Sequence, residues 1–259
     1  MKFVEPAMPP GHPRNILTIK PDPLTENYYK WHSEHIGRDF EMLVFGDSGY
    51  PLILFPTSMG RYYESKDRGL IDAVAWYINN GHVKIYCPDG IDTQSWYNKQ
   101  ISPAERALNH MCYDAVILNE VIPRAIAETG HQRIAMAGCS FGGYHAANFA
   151  FRHPELVSYL FSMSGLFDIS SRIDGYYDDN VYYNNPMDFM PENKHPDLWR
   201  MGIVLGAAER DVTLSQNEQF SGILSNKQIQ HWLDIRPNTL HDWPVWREML
   251  PHYLSFLKP

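Results

Sequence analysis

Cysteine is scarce: three residues, Cys87, Cys112 and Cys139, in a chain of 259. Three thiols cannot all pair within one chain, and none stands in a C-x-x-C motif, so free thiols in a reducing cytosol are expected. Positive charge is also in deficit. Lys and Arg number 22 against 30 Asp and Glu, a formal charge of −8, which is the wrong sign for a nucleic-acid phosphate surface or an anionic membrane partner. No apolar run approaches the ~20 residues of a membrane span. Met1 to Asn15 is proline-rich and lacks an apolar stretch of the length a secretory signal needs. No internal repeat, P-loop or G-x-G-x-x-G motif occurs. These absences point to a cytoplasmic protein with no nucleic-acid or membrane partner.

What is present suits a packed core. Hydrophobic residues make up 44% and charged residues 20%, and the length fits a single domain over residues 1–259. Aromatics reach 14%, with 7 Trp and 16 Tyr, a surplus that suits a ring-lined pocket as well as a core.

Residues 1–27, rich in Pro and polar side chains, are expected to wrap the surface. Residues 28–46 alternate around Gly37-Arg38, as a strand pair does. Beyond them, short apolar runs at 51–56, 82–87, 133–138, 159–164, 202–206 and 230–235 read as strands. Runs without polar alternation are what strands covered on both faces require. The segments between them read as helices. One, over 65–80, stops before Gly81. The next opens on the capping box Ser102-Pro103-Ala104-Glu105, with Leu108, Met111, Ala115, Leu118, Ile122 and Ala125 as an apolar stripe. Pro123 is expected to kink or divide it. Helices over 141–152, from Thr213 to about 225, and after Asp242 complete the pattern. The fold class is therefore α/β: a mostly parallel central sheet with helices on both faces. Residues 165–200 fit no period and form an irregular excursion expected near the site.

Gly138-Cys139-Ser140-Phe141-Gly142 is a G-x-S-x-G pentapeptide. At ~7% glycine usage, chance alone places one in roughly one chain in ten of this length. Its setting raises its weight, because an apolar strand runs into it and a helix leaves it, as in a nucleophile elbow. The tight turn requires small residues where side chains would collide, and it presents Ser140 at a helix N-terminus. A serine hydroxyl needs a base oriented by an acid, and in this topology the order is Ser, Asp or Glu, then His. Asp211 follows the strand at 202–206, with Glu209 as the alternative, and His241 lies between the last strand and the last helix. Phe141 N–H is one expected oxyanion donor. The loop Phe55-Pro56-Thr57-Ser58-Met59 supplies the other, at Ser58 or else Met59. Trp96, Tyr97, Tyr176 and Tyr177 are the candidate substrate-binding side chains. His32 and His35 lack further clear metal ligands, and no metal is expected. Cys139, His110 and His145 read as packed side chains.

Leu54-Phe-Pro-Thr-Ser58, Pro88-Asp89-Gly90 followed by Ser95-Trp96-Tyr97, Glu120-Val-Ile-Pro123, the elbow 138–143, and His241-Asp242-Trp243 with Trp246-Arg247 form a set. In these features the chain resembles the α/β-hydrolase superfamily over residues 35–258. The likeness falls within the esterase D-like group of S-formylglutathione hydrolases, feruloyl-type esterases and mycolyltransferases. The resemblance implies an α/β-hydrolase fold with Ser140 as nucleophile, His241 as base and Asp211 as acid. Phe55-Pro56-Thr57 departs from the His-Gly pair common in the family's oxyanion loop, which leaves the second donor open.

The expectation is a serine esterase that hydrolyses a small-molecule carboxylic ester through an acyl-enzyme, with no cofactor. The rings and Asp/Asn residues of the excursion point to a short acyl group. An acyltransferase using the same triad and a catalytically silent binding module are the alternatives.

Overall fold

A computed structural model describes residues 24–258. Most of the 1–27 segment lies outside the described residues, and its last two join the first strand. Eight strands form one sheet: β1 (Glu26–Ser33), β2 (Arg38–Phe45), β3 (Tyr50–Phe55), β4 (Val83–Pro88), β5 (Ile134–Cys139), β6 (Val157–Met163), β7 (Gly202–Arg210) and β8 (His231–Leu240). Their order is β1-β2-β4-β3-β5-β6-β7-β8. β1 and β2 pair antiparallel, β2 pairs antiparallel with β4, and every later neighbour is parallel. The strand pair and the apolar runs thus fall where the sequence pattern sets them.

Both faces of the sheet are apolar, and strand periodicity divides them. Ile53 and Phe55 pack on one side with Tyr113, Ala147 and Phe220 from the helices Pro103–Val116, Phe141–Arg152 and Leu214–Asn226. Leu52 and Leu54 pack on the other, with Leu70, Ile78 and residues of the last helix, Trp243–Leu254. Parallel strands need such double cover.

Two helices differ from the periodic reading. The expected helix over 65–80 is three short pieces, Glu64–Asp67, Leu70–Ala73 and Ala75–Asn79. Gly69, at φ 71°, and Val74, at φ −112°, interrupt it. The helix from Pro103 keeps its capping box, but it passes through a π-turn at Ile117–Val121 just before Pro123. An extra residue in that turn rotates the buried face. Ahead of the turn the chain therefore buries Ala107, His110 and Tyr113, and Leu108 is exposed. Behind it Ile122 and Ala125 are buried, as the stripe requires.

Candidate active site

The parallel strands end on one edge of the sheet, and every element of the site leaves from that edge. Ser140 follows β5, Asp211 follows β7, His241 follows β8 and the loop Pro56–Met59 follows β3.

Ser140 sits at φ 56° and ψ −122°, a conformation that L residues rarely adopt. Such strain costs on the order of 1–3 kcal/mol and persists only where the surroundings enforce it. Here Ser140 N–H donates to Met163 O at 2.8 Å, and Ser140 O accepts from Gly143 N–H at 2.9 Å. The glycines are required by close approach. A Cβ on Gly138 would lie 2.1 Å from Gly142 O, and one on Gly142 would lie 2.4 Å from Pro56 O and 2.6 Å from Phe55 O. The elbow and the β3 loop therefore touch backbone to backbone. Gly142→Ala is expected to force that loop away, destabilising the fold by about 1–3 kcal/mol and lowering turnover. Thermal unfolding and an ester assay check this, and a variant unchanged in both contradicts the packing argument.

His241 Nε2 lies 2.9 Å from Ser140 Oγ, and His241 Nδ1 lies 2.7 Å from Asp211 Oδ1. An ionised carboxylate only accepts, so Nδ1 carries the proton and Nε2 is free to accept from Ser140. Asp211 Oδ1 also accepts from Thr213 N–H at 2.8 Å and from Thr213 Oγ at 2.9 Å. Burial alone would raise the Asp211 pKa. Hydrogen bonds from His241, Ser164 and Thr213 more than offset it and hold the carboxyl well below its ordinary range. Thr213 stands at the N-cap position of its helix, but its side chain serves Asp211 and not the helix end. Glu209 points elsewhere, its Oε2 accepting from Asn238 N–H at 2.6 Å. The His241 ring meets the edge of Trp246, whose Nε1 donates to Ser164 Oγ at 2.9 Å.

The loop after β3 is held from behind. Met59 N–H donates to Asp92 Oδ2 at 2.9 Å, and Asp92 Oδ1 lies 2.9 Å from His145 Nε2 on the elbow helix. Met59 N–H is therefore spent. Neither Ser58 N–H nor Phe141 N–H has an acceptor among the described residues. Ser58 Oγ lies 2.7 Å from Tyr97 Oη, and the Tyr97 ring stands edge-on to Phe141. Arg172 Nη2 donates to Tyr97 Oη at 2.9 Å, with its guanidinium 4.2 Å from the ring centre.

Three substrate-binding candidates are not brought to this cluster. Trp96 is fully buried, packed tilted against His110, so its ring belongs to the core. Tyr176 and Tyr177 are exposed, and their hydroxyls donate to Asp178 and Asp188. Neither makes a hydrogen bond or ring contact with Ser140, His241, Tyr97 or Phe141. Acidic side chains of the same excursion, 2 and 11 residues away, satisfy them. The excursion reaches the cluster through Arg172 instead.

Sequence reading missed Arg172 and Asp92. Arg172 is the one basic residue between Gly165 and Glu192, and that charge contrast was the available signal. Asp92 carried none, because its partners lie 33 and 53 residues away. Cys139 is buried, which pushes its thiol pKa well up, and His110 and His145 are buried as well. No cluster of three or more His, Cys, Asp or Glu able to hold a metal occurs among the described residues, nor any helix long and apolar enough to cross a membrane.

The profile of a family described as "Putative esterase" matches residues 59–257. No curated protein matches the chain. Among solved structures, a ferulic acid esterase superposes with a TM-score of 0.74 at 19% identity, over 90% of this chain and 97% of that one. An S-formylglutathione hydrolase from Staphylococcus aureus gives 0.69 at 14% identity, over 90% and 98%. Another from Agrobacterium tumefaciens gives 0.71 at 13%, over 90% and 94%. At these identities the likeness is one of fold.

Proposed function

The chain belongs to the esterase family and has the α/β-hydrolase fold, and from that premise we propose that it is a serine hydrolase of carboxylic esters with a short acyl group. The observation that carries the reading is the unbroken hydrogen-bonded chain Ser140–His241–Asp211 at one edge of the sheet. His241 Nε2 takes the Ser140 proton as Oγ attacks the ester carbonyl. Asp211 holds the imidazole in the tautomer that leaves Nε2 free, and its charge steadies the imidazolium that forms. Phe141 N–H and Ser58 N–H receive the oxyanion. His241 then returns the proton to the leaving alcohol, and water, activated by the same imidazole, releases the acyl group. No cofactor enters these steps.

Short acyl groups are favoured by the polar wall of Ser58, Tyr97 and Arg172 beside the elbow, since a long hydrocarbon chain calls for a continuous apolar groove. The free thiols Cys87, Cys112 and Cys139 support a reducing compartment, the cytoplasm. The domain reading extends the unit over the whole chain, 1–259.

The test is a screen of purified protein against short and long acyl esters, thioesters, and acetylated or feruloylated sugars. Turnover of short esters, with water as acceptor, is expected. Folded protein that turns over none of them overturns the proposal. Turnover that depends on an added sugar or lipid hydroxyl moves the assignment to acyl transfer.

A further inference from the structure

Ser58 is spoken for in one direction only. A guanidinium has donors and no acceptor, so in the contact between Arg172 Nη2 and Tyr97 the phenolic oxygen accepts. The Tyr97 proton must then find an acceptor of its own. Among the described residues the oxygen within its reach is Ser58 Oγ, 2.7 Å away. Burial raises the Tyr97 pKa, so the phenol keeps that proton at neutral pH. Ser58 Oγ therefore accepts, and its own proton has no partner among the described residues. The same is true of Ser58 N–H. One residue thus has two unspent donors, in a loop whose backbone lies against Gly142 of the elbow and whose next N–H is tied down by Asp92.

The charge behind this chain is also uncommitted. Arg172 has no carboxylate within 4.0 Å among the described residues, unlike Arg61, Arg106 and Arg152. Its guanidinium stacks on Tyr97 and lies 5.9 Å from the Phe141 ring centre. A cation that polarises a phenol, which in turn polarises a hydroxyl, strengthens the last donor in the series.

We propose that Ser58 contributes a third donor to the oxyanion, its Oγ–H beside its own N–H and that of Phe141, and that Tyr97 and Arg172 are positioning residues that aim it. This rests on the acyl-enzyme reading of Ser140. In the ground state an ester carbonyl draws weakly on a hydroxyl donor, whereas a full oxyanion draws strongly, so the contact acts on kcat and not on KM.

The experiment compares kcat and KM on a short ester for wild type, Ser58→Ala, Ser58→Thr and Tyr97→Phe. It also measures binding of a trifluoromethyl ketone, whose serine adduct carries an oxyanion. Ser58→Ala is expected to lower kcat by about 10²-fold, the scale of one lost oxyanion donor, with KM nearly unchanged and ketone affinity falling in the same proportion. Ser58→Thr keeps the hydroxyl and restores most of the rate. Tyr97→Phe keeps the ring, removes the aiming proton and costs less than Ser58→Ala. An unchanged kcat in Ser58→Ala, or a raised KM at constant kcat, overturns the inference while leaving the esterase reading intact. A wild type inert towards every ester overturns both.

Discussion

Ser140→Ala is expected to reduce kcat on esters by up to about a million-fold, the scale of removing a triad serine. The loss is chemical. Alanine is as strained as serine at φ 56°, and the elbow is held by backbone contacts that the substitution leaves in place, namely Ser140 N–H to Met163 O and the glycine approaches at 138 and 142. The variant should therefore fold with a melting temperature close to wild type. His241 Nε2 would lose the hydroxyl it accepts from and have no nucleophile to activate. A fluorophosphonate should modify the wild type once, at Ser140, and leave the variant unlabelled. Near-native esterase activity in the Ala variant would show that the chemistry resides elsewhere.

The second large effect separates two carboxylates that lie two residues apart. Asp211→Asn is expected to lower kcat by about 10⁴, and Glu209→Gln by little. Asp211 Oδ1 receives three donors, His241 Nδ1, Thr213 N–H and Thr213 Oγ. An asparagine would keep its carbonyl oxygen there and place its amide group towards Ala208 N–H, now a donor facing a donor. Orientation of His241 then survives in part, but the negative charge that stabilises the imidazolium is gone. The same carboxylate makes stability depend on pH. Its folded pKa is depressed below the ordinary value of about 3.9, so the unfolded chain binds the proton more readily. Its stabilisation is complete above that ordinary value and is lost as pH falls through the folded pKa. The gap in melting temperature between wild type and Asp211→Asn should accordingly be widest near neutrality and close in acid. A constant gap down the whole acid range would contradict the assignment, as would Glu209→Gln matching Asp211→Asn in kcat.

Much of the architecture was readable because its causes are local. A strand covered on both faces has to be apolar at successive positions, and β3, β5 and β7 are. An elbow backed by another strand's loop has to be glycine at 138 and 142, since a Cβ at either would meet backbone oxygen. The weaker readings concern helices and rings. Reading 65–80 as one helix that stops before Gly81 gave no sign that Gly69 would turn left-handed and cut it. The stripe through Leu108 takes a 3.6-residue period up to a break at Pro123, but the π-turn at Ile117–Val121 comes before that break and shifts the buried face off Leu108. Counting tyrosines in the excursion pointed to a ring-lined site, yet Asp178 and Asp188, 2 and 11 residues further along the same excursion, engage Tyr176 and Tyr177.

By itself the sequence determined the α/β class, the strand order along the chain, and Ser140, Asp211 and His241 as the residues to examine. Steric fit, apolar burial and loop position are properties of short segments, and they leave a trace in short patterns. Only the tertiary structure decided which carboxylate meets His241, because that depends on how β7 and β8 end relative to one another, with a register shift between Ala208 and Arg210. It alone took Met59 N–H out of contention and placed Arg172 on Tyr97, contacts that span 33 and 75 residues. It alone sent Trp96 into the core beside Tyr97, which it left at the site. Hydrogen bonds between side chains so far apart in the chain are set by the packing of whole elements, and residue spacing holds no record of them.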